Sequence, residues 1–252
     1  MTRAILSGCG GQMGRVITSM CDNDPSIEIV AGVDIGDVKA AYPVYKSFSD
    51  IREEADVLID FSSSTALGSI LEYCTAKKVP GVICATGHSG EQLEALKKAS
   101  CLVPMFRSGN MSIGINLLCD LIRQSAAILG LDYDVEIVEK HHNRKIDAPS
   151  GTALMLAEAA EEGLGKDMEY VYDRHSVRER RTDGQIGISS VRGGTITGEH
   201  SVIFAGKDEV IEFTHTIYSR EVFAVGAIRA AKYVAGKTEP RMYDMSDVIS
   251  GR

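Results

Sequence analysis

The sequence predicts an α/β fold, in which a Rossmann-type parallel sheet domain carries an inserted α+β domain with a mixed sheet. Three observations lead to this prediction. Short apolar segments alternate with helical segments of about ten residues over the first part of the chain. A glycine-rich turn joins the first apolar segment to the first helical one. Beyond residue 112, several segments instead alternate polar with apolar residues, as half-buried strands do.

The first domain is expected to comprise residues 1–112 and 222–252. Strands are predicted at 4–7, 28–34, 56–61 and 82–84, and helices at 13–20, 69–78 and 91–98. The segment 56–61 is apolar at nearly every position, which is typical of a strand buried on both faces. Strands that alternate with helices favour right-handed crossovers, and therefore a parallel sheet.

The second domain is expected to comprise residues 113–221. It begins with one long helix, Ile113 to Leu129, whose apolar residues recur at helical spacing. Strands are predicted at 134–139, 187–192, 200–204 and 210–215, and a further helix begins at Ala153. Because glycine-rich turns separate the later strands, we expect a mixed or antiparallel sheet with one face covered. An Ala- and Gly-rich helix, 223–234, then returns the chain to the first domain.

Composition limits the classes of partner and compartment. The 252 residues carry 27 Lys and Arg against 35 Asp and Glu, a net charge of −8, which disfavours binding to nucleic acid or to an anionic membrane. No apolar run approaches the roughly 18 residues that span a bilayer. The 6 cysteines form no Cys-x-x-Cys pair, and their scattered spacing favours reduced thiols in a cytoplasmic protein.

The glycine-rich turn is a candidate nucleotide site. Its pattern is G-x-x-G-x-x-G through Gly8, Gly11 and Gly14, because Met13 stands where the stricter G-x-G-x-x-G pattern needs glycine. Taken alone, the turn fits a tight strand-to-helix connection equally well. Asp34 ends the second predicted strand, where a carboxylate can bind a ribose 2′-hydroxyl. This context favours a dinucleotide whose pyrophosphate lies at the helix N-terminus.

A basic segment, 140–145, stands out in this acidic chain, with Lys140, His141, His142, Arg144 and Lys145. Three interpretations are open: a solvated loop, a metal site, or an anion site. We predict no metal, since Cys and Glu ligands at the usual spacing are lacking. The segment leads into Ser150, a candidate N-cap, followed by Gly151 and Thr152 at a positive helix end. A histidine, a lysine and such an anion cradle suit a carboxylic acid that is also protonated.

The stretch HHNRKIDAPSGTA, from His141 to Ala153, closely resembles the signature of the 4-hydroxy-tetrahydrodipicolinate reductase (dihydrodipicolinate reductase) family. The resemblance covers nearly the whole chain and includes 8–14, 57–61, 108–114, 190–194, 198–200 and 243–248. It implies an oxidoreductase of lysine and diaminopimelate biosynthesis. Such an enzyme reduces a cyclic dicarboxylate imine to tetrahydrodipicolinate with hydride from NADH or NADPH.

The resemblance also implies roles for individual residues. His141 is the expected proton donor and Lys145 the second catalytic residue, while His142, Gly151 and Thr152 bind substrate. The implied nucleotide contacts are Gly8, Cys9, Gly10, Gly11, Gln12, Met13, Asp34, Cys84, Ala85, Thr86, Ser108, Gly109, Asn110 and Met111. The family often has Gly-Thr-Thr-Gly where Cys84 to Gly87 stand, and an aromatic residue at Met111, so backbone contacts are expected there. Arg192, Gly193 and Arg220 are weaker candidates for shaping the site.

The residues after the second strand predict which nucleotide is preferred. Asp34 favours a free ribose hydroxyl and Asp37 adds negative charge, whereas Ile35 and Gln12 stand where some family members carry a cation. We therefore expect NADH to be preferred, with NADPH still used, and Arg15 and Lys39 as nearby cations that could reach a 2′-phosphate. The resemblance further implies a homotetramer built through the sheet of the second domain.

Two other functions fit parts of the sequence. Another Rossmann reductase of an amino or keto dicarboxylate, such as an aspartate or homoserine dehydrogenase, would share the nucleotide site. A non-enzymatic NAD(H)-sensing regulator would share it too, but would not need the His141 and Lys145 pair, and the chain offers no basic recognition helix for DNA.

Overall fold

A computed structural model of the chain describes residues 1–176 and 178–251. The chain folds into two compact units. Unit 1 consists of Met1–Met111 and Glu221–Arg252, and unit 2 consists of Ser112–Arg220. Unit 2 is therefore an insertion within unit 1.

The described residues form twelve strands and seven α-helices. The strands are β1 (Thr2–Ser7), β2 (Ile27–Val33), β3 (Val44–Tyr45), β4 (Val57–Asp60), β5 (Gly81–Ile83), β6 (Met105–Arg107), β7 (Asp134–His141), β8 (Glu169–Val171), β9 (Gln185–Arg192), β10 (Gly198–Ala205), β11 (Val210–Ile217) and β12 (Met242–Tyr243). The helices are α1 (Gln12–Cys21), α2 (Leu67–Lys77), α3 (Gly90–Ser100), α4 (Ile113–Leu129), α5 (Gly151–Leu164), α6 (Glu221–Ala235) and α7 (Met245–Ser250).

Unit 1 contains a seven-stranded sheet in the order β12-β6-β5-β4-β1-β2-β3, and its strand pairs are parallel. This confirms the predicted α/β class with a Rossmann-type sheet. Register pairs Ser7 with Val33 and with Asp60, and Asp60 with Ile83. The carboxyl ends of β1, β2, β4 and β5 thus lie along one edge, and the loops that follow them meet there, as ligand sites of such sheets require.

Helix α6 closes unit 1 after the insertion. It is rich in small residues, and Gly226 lies so close to the carbonyl oxygen of Met111 that a Cβ there would clash. The last residue before the insertion is therefore held against the helix that follows the insertion. A glycine is needed at this position because the backbone of the other segment occupies the space.

Unit 2 contains a five-stranded sheet in the order β11-β10-β7-β9-β8. Strand β10 is antiparallel to β7 and β11, whereas β7 and β8 are parallel to β9, so the sheet is mixed as predicted. The core of unit 2 joins Ile115 and Ile122 of α4, Val135 and Ile137 of β7, and Leu156 of α5. Because side chains alternate along a strand, Glu139 and His141 point to the same face of β7 as Val135 and Ile137.

Helix α4 is long and apolar on average, although the sequence contains no uninterrupted apolar run of membrane-spanning length. Together with the residues up to Asp132 it forms a stretch of 20 residues that is long and apolar enough to cross a membrane by length and composition alone. Its buried residues Ile115, Leu118, Ile122 and Ala126 belong to the core of unit 2. Such a pattern is also found in core helices of globular proteins, so it is weak evidence for a membrane span.

Candidate active site

The glycine-rich turn connects β1 to α1 and shapes an anion site. Gly8 has a positive φ of 77° and its amide donates to Val33 O at 2.8 Å, while a Cβ at Gly14 would clash with Gly8 O. Gly11 caps α1 without a side-chain hydrogen bond, and the first turn of the helix holds no acidic residue. The helix N-terminus is therefore suited to a pyrophosphate, which its amides and dipole would stabilise.

Asp34 lies directly after β2, and its carboxylate accepts hydrogen bonds from the glycine-rich turn and from the loop that follows β2. Its Oδ2 accepts from the Gly10 amide and its Oδ1 from the Gly36 amide, each at 2.8 Å. A cleft of about 500 Å³ adjoins this carboxylate and is lined by residues that include Gly8, Gly11 and Asp34. The residues present thus fit the adenosine half of a dinucleotide, with Asp34 at the position that meets a ribose.

The cation in this cleft is Lys46, which the sequence reasoning missed. Arg15 and Lys39 are exposed and do not line the cleft, whereas Lys46 does. Its ammonium donates to Ile35 O at 3.1 Å and Gly36 O at 2.6 Å, and pairs with Asp37 at 2.8 Å. The pairing of β2 with β3 was the signal that could have located it, because this pairing brings Tyr45 beside Asp34.

A second cleft of about 250 Å³ in unit 1 gathers most of the remaining predicted nucleotide contacts. It is lined by Met13, Phe61, Cys84, Thr86, Ser108, Gly109, Asn110, Met111 and Phe223. Phe61 and Phe223 were not predicted. Cys84 has a neutral thiol, because burial raises its pKa well above the ordinary value.

Four predicted nucleotide contacts, Cys9, Gly10, Gln12 and Ala85, line neither cleft. The Cys9 side chain is buried, and a Cβ built at Gly32 would lie 2.7 Å from its sulfur. Any contact of Cys9 with a nucleotide would therefore come from its backbone.

In unit 2, the predicted proton donor belongs to a buried ionic cluster. His141 Nδ1 lies 2.6 Å from Glu139 Oε2, and Arg192 binds the same carboxylate through both terminal nitrogens, at 2.7 and 2.6 Å. Glu139 is fully buried and His141 is 9% exposed. Arg192 was only a weak candidate in the sequence, and Glu139 was not considered, although the two-residue spacing to His141 along a strand was the available signal.

The cluster sets the charge of its members. Burial raises the pKa of Glu139, but hydrogen bonds from Arg192, Ser190 and His141 outweigh burial and bring it to about 2. Burial lowers the pKa of His141, and the hydrogen bond and charge of Glu139 oppose this only in part. The ligand-free site therefore holds an ionised glutamate beside a histidine that readily loses its second proton.

A second histidine, His200 of β10, adjoins the cluster. Its ring centroid lies 5.1 Å from that of His141, and its Nε2 is 2.9 Å from Ser150 Oγ. Burial, and secondarily the charge of His141, lower its pKa to about 4, so it is neutral at physiological pH. Ser150 Oγ also accepts from the Ala153 amide at 3.2 Å, which confirms the predicted N-cap of α5.

The basic segment begins with the last two residues of β7 and continues into a loop, which is held by the turn that follows β9. The Gly193 amide donates to His141 O at 2.9 Å, and the Asn143 amide donates to Gly194 O at 3.2 Å. Lys145 Nζ binds both carboxylate oxygens of Asp147, at 2.9 and 2.7 Å. His141 therefore ends β7, and His142 and Lys145 follow it in the loop. The third weak candidate, Arg220, is exposed at the end of unit 2.

The start of α5 has the form of an anion cradle. Gly151 is its first residue, is exposed, and a Cβ built there would meet nothing within 4 Å. The packing of the protein does not explain the glycine, but the close approach of a ligand to the backbone would. Thr152 follows it in the same first turn.

Comparisons with known proteins agree with this arrangement. Residues 2–111 match the family described as Dihydrodipicolinate reductase, N-terminus, and residues 114–249 match Dihydrodipicolinate reductase, C-terminus. The 4-hydroxy-tetrahydrodipicolinate reductase of Caldanaerobacter subterraneus subsp. tengcongensis is 48% identical over 249 residues, covering 99% of this chain and 98% of that protein. The Clostridium novyi enzyme of the same name is 46% identical over 253 residues, covering 100% of both chains.

Solved structures share the fold. The dipicolinate-bound dihydrodipicolinate reductase from Paenisporosarcina sp. TG-14 has a TM-score of 0.79 at 24% identity and covers 97% of each chain. The DAP dehydrogenase of C. glutamicum in complex with DAP has a TM-score of 0.57 at 15% identity, covering 97% of this chain and 92% of that one.

Proposed function

The chain belongs to the dihydrodipicolinate reductase family. We therefore propose that unit 1 binds the nucleotide and unit 2 binds the substrate of that family's reaction. The chain is an oxidoreductase of lysine and diaminopimelate biosynthesis. It reduces a cyclic dicarboxylate imine to tetrahydrodipicolinate, and this imine is 4-hydroxy-tetrahydrodipicolinate, after which the relatives are named, or its dehydrated form. One observation carries the division of labour. Glu139 contacts both the buried His141 and the amide of Ser150, the N-cap of α5, so the histidine and this helix N-terminus share one buried carboxylate.

Unit 1 is the nucleotide half. The uncapped N-terminus of α1 fits the pyrophosphate, Asp34 fits the adenosine ribose, and the cleft lined by Met13, Cys84 and Met111 fits the nicotinamide. Bound NADH or NADPH supplies the hydride. The residues of this half bind and orient the cofactor.

Unit 2 is the substrate half. Gly151 and Thr152 at the start of α5 hold one carboxylate of the substrate, and His142 and Lys145 contact the rest of it. His141 delivers the proton. Since its Nδ1 is bound to Glu139, its Nε2 is the nitrogen that faces the substrate. Lys145 carries a positive charge, which stabilises the negative charge that develops when hydride reaches the ring.

The chain prefers NADH over NADPH in this proposal. Asp34 and Asp37 present two carboxylates after β2, and Ile35 between them is 94% exposed. The ammonium of Lys46 is already paired with Asp37, so a 2′-phosphate would have to compete with that carboxylate for it.

We place the protein in the cytoplasm as a homotetramer. All six cysteines are free thiols in the structure, as expected in a reducing compartment. Strand β11 ends the sheet of unit 2, and alternate residues along it, beginning with Val210, are exposed. An exposed edge strand is normally paired or covered, and another copy of the chain can do this.

A coupled assay tests the function. The purified protein is given NADH and dihydrodipicolinate generated by its synthase, and the absorbance of NADH is followed. We expect oxidation with this substrate and none with aspartate or homoserine. Turnover of aspartate or homoserine would instead assign another dicarboxylate reductase, and nucleotide binding without any turnover would assign a sensing regulator.

A further inference from the structure

Glu139 is a fully buried carboxylate whose hydrogen-bonding capacity is filled by three segments of unit 2. Its Oε2 accepts from His141 Nδ1 at 2.6 Å and from Arg192 at 2.7 Å. Its Oε1 accepts from Arg192 at 2.6 Å and from the Ser150 amide at 3.2 Å. The Ser190 side chain is a further donor. Because an ionised carboxylate offers about four acceptor positions, these contacts fix its position and its charge.

The same carboxylate connects the two parts of the substrate half. His141 lies at the end of β7, and Ser150 is the N-cap of α5, directly before the anion cradle. Arg192 adds a third connection, since its guanidinium also donates to Asp147 O at 2.7 Å, in the loop that carries Lys145. Glu139 thus contacts the proton donor and the N-cap of the anion cradle directly, and it is connected to the loop that carries Lys145 through Arg192.

We propose that Glu139 is the positioning residue of the substrate half: it keeps a proton on Nδ1 of His141, so that Nε2 exchanges the proton with substrate, and it holds the ring in register with the start of α5. The inference rests on the proposed function, in which His141 is the proton donor. The tautomer follows because an ionised carboxylate only accepts hydrogen bonds, so the nitrogen facing it must donate.

The charges around His141 indicate how large a role Glu139 has. Glu139 faces the ring from its own strand, Lys145 from the following loop, Arg192 from β9 and His200 from β10. Burial and the two cations favour the neutral ring, and Glu139 is the group that favours the imidazolium. Without the negative charge of Glu139, the His141 ring would therefore lose its second proton at lower pH.

The first test needs only the wild-type protein. In ¹⁵N NMR spectra above the pKa of His141, the ligand-free protein should show the shifts of the tautomer protonated at Nδ1. A ring protonated at Nε2 would overturn the proposal. This result does not depend on activity, so it separates a failure of this inference from a failure of the proposed function, which would appear as no turnover in the coupled assay.

The second test compares two substitutions on one strand. Glu139→Gln removes the charge beside His141, whereas Glu136→Gln removes a charge that pairs with Arg174 and Arg181 on the opposite face of β7. The expected result is that only Glu139→Gln moves the titration of His141 to lower pH and mixes its tautomers. The falling limb of kcat/KM should move to lower pH with it.

The effect of Glu139→Gln on kcat cannot exceed the contribution that His141 makes as the proton donor. Glu139→Gln should lower kcat roughly 10-fold or more, within the about 10²–10⁴-fold that a positioned acid contributes, and leave the Kd for NADH unchanged. Should the titration and tautomer of His141 match those of Glu136→Gln, Glu139 would be a structural residue only. If Glu139→Gln does not fold, the tautomer measured in the wild-type protein decides the question.

Discussion

His141 offers the most direct test at the scale of one residue. His141→Gln removes the proton donor but keeps a side chain that can hydrogen-bond to Glu139. We expect kcat to fall by about 10²–10⁴-fold, because a positioned acid contributes that much. The Kd for NADH, measured by fluorescence titration, should not change, since the clefts assigned to the nucleotide lie in unit 1. A kcat near the wild-type value would remove His141 from its assigned role.

Nucleotide preference depends on the residue after Asp34. Ile35→Arg would place a cation at an exposed position that borders the first cleft, where it could bind a 2′-phosphate. In the wild-type protein, kcat/KM should be higher for NADH than for NADPH. In the variant, the ratio of these two values should decrease or invert, because a charge-assisted contact with the 2′-phosphate is worth about 1.5–3 kcal/mol. Ile35→Gln is the uncharged control.

The outcome that would contradict this expectation is a wild-type preference for NADPH of about tenfold or more. Lys46 would then leave Asp37 for the phosphate, and Lys46→Ala should abolish the preference.

Lys46 and Glu139 are site residues that could not be identified from the sequence. Their importance comes from a partner brought near by strand pairing, and no local pattern marks a lysine after a two-residue strand as a neighbour of Asp34.

At the scale of the element, a substitution at the N-terminus of α5 distinguishes a role of Gly151 in packing from a role in substrate binding. Gly151→Ala adds a methyl group that meets nothing in the protein, and alanine reduces the entropy of the unfolded chain. Thermal unfolding should therefore show an unchanged or slightly raised Tm. The KM for the dicarboxylate should rise, because the methyl group occupies the space through which a carboxylate approaches the amides.

Ser150→Ala provides the matching control for Gly151→Ala. It removes the N-cap, so it should lower the stability by about 0.5–2 kcal/mol. If Gly151→Ala lowered the Tm in the same way and left KM unchanged, the glycine would serve the fold alone.

Long elements with a clear period were predictable from the sequence, whereas most short strands other than β5 were not. Helix α4 lies at the predicted bounds, and β10 and β11 begin at or near the predicted positions, because their apolar residues repeat regularly. Strands β3, β6, β8 and β12 have only two or three residues and were missed. Such strands are too short to show a period, and β3 and β8 are formed by pairing with the longer strands β2 and β9.

At the scale of the whole molecule, the assembly is the main prediction. Multi-angle light scattering at micromolar concentration should give about four times the chain mass of 27.2 kDa. The reason is the exposed edge strand β11, which association would cover. A dilution series provides the control, since a specific tetramer keeps its mass until it dissociates in discrete steps. A monomer mass throughout would contradict the proposal.

The close approach of Gly226 to Met111 has a consequence for how such a chain can evolve. The point where the polypeptide leaves unit 1 is fixed beside the helix on which it returns, so unit 1 already holds both ends of the insertion together. A segment spliced between two such anchored points can be lengthened, shortened or exchanged with little effect on the host fold. Substrate range can then diversify in the inserted segment while the nucleotide-binding frame is inherited unchanged.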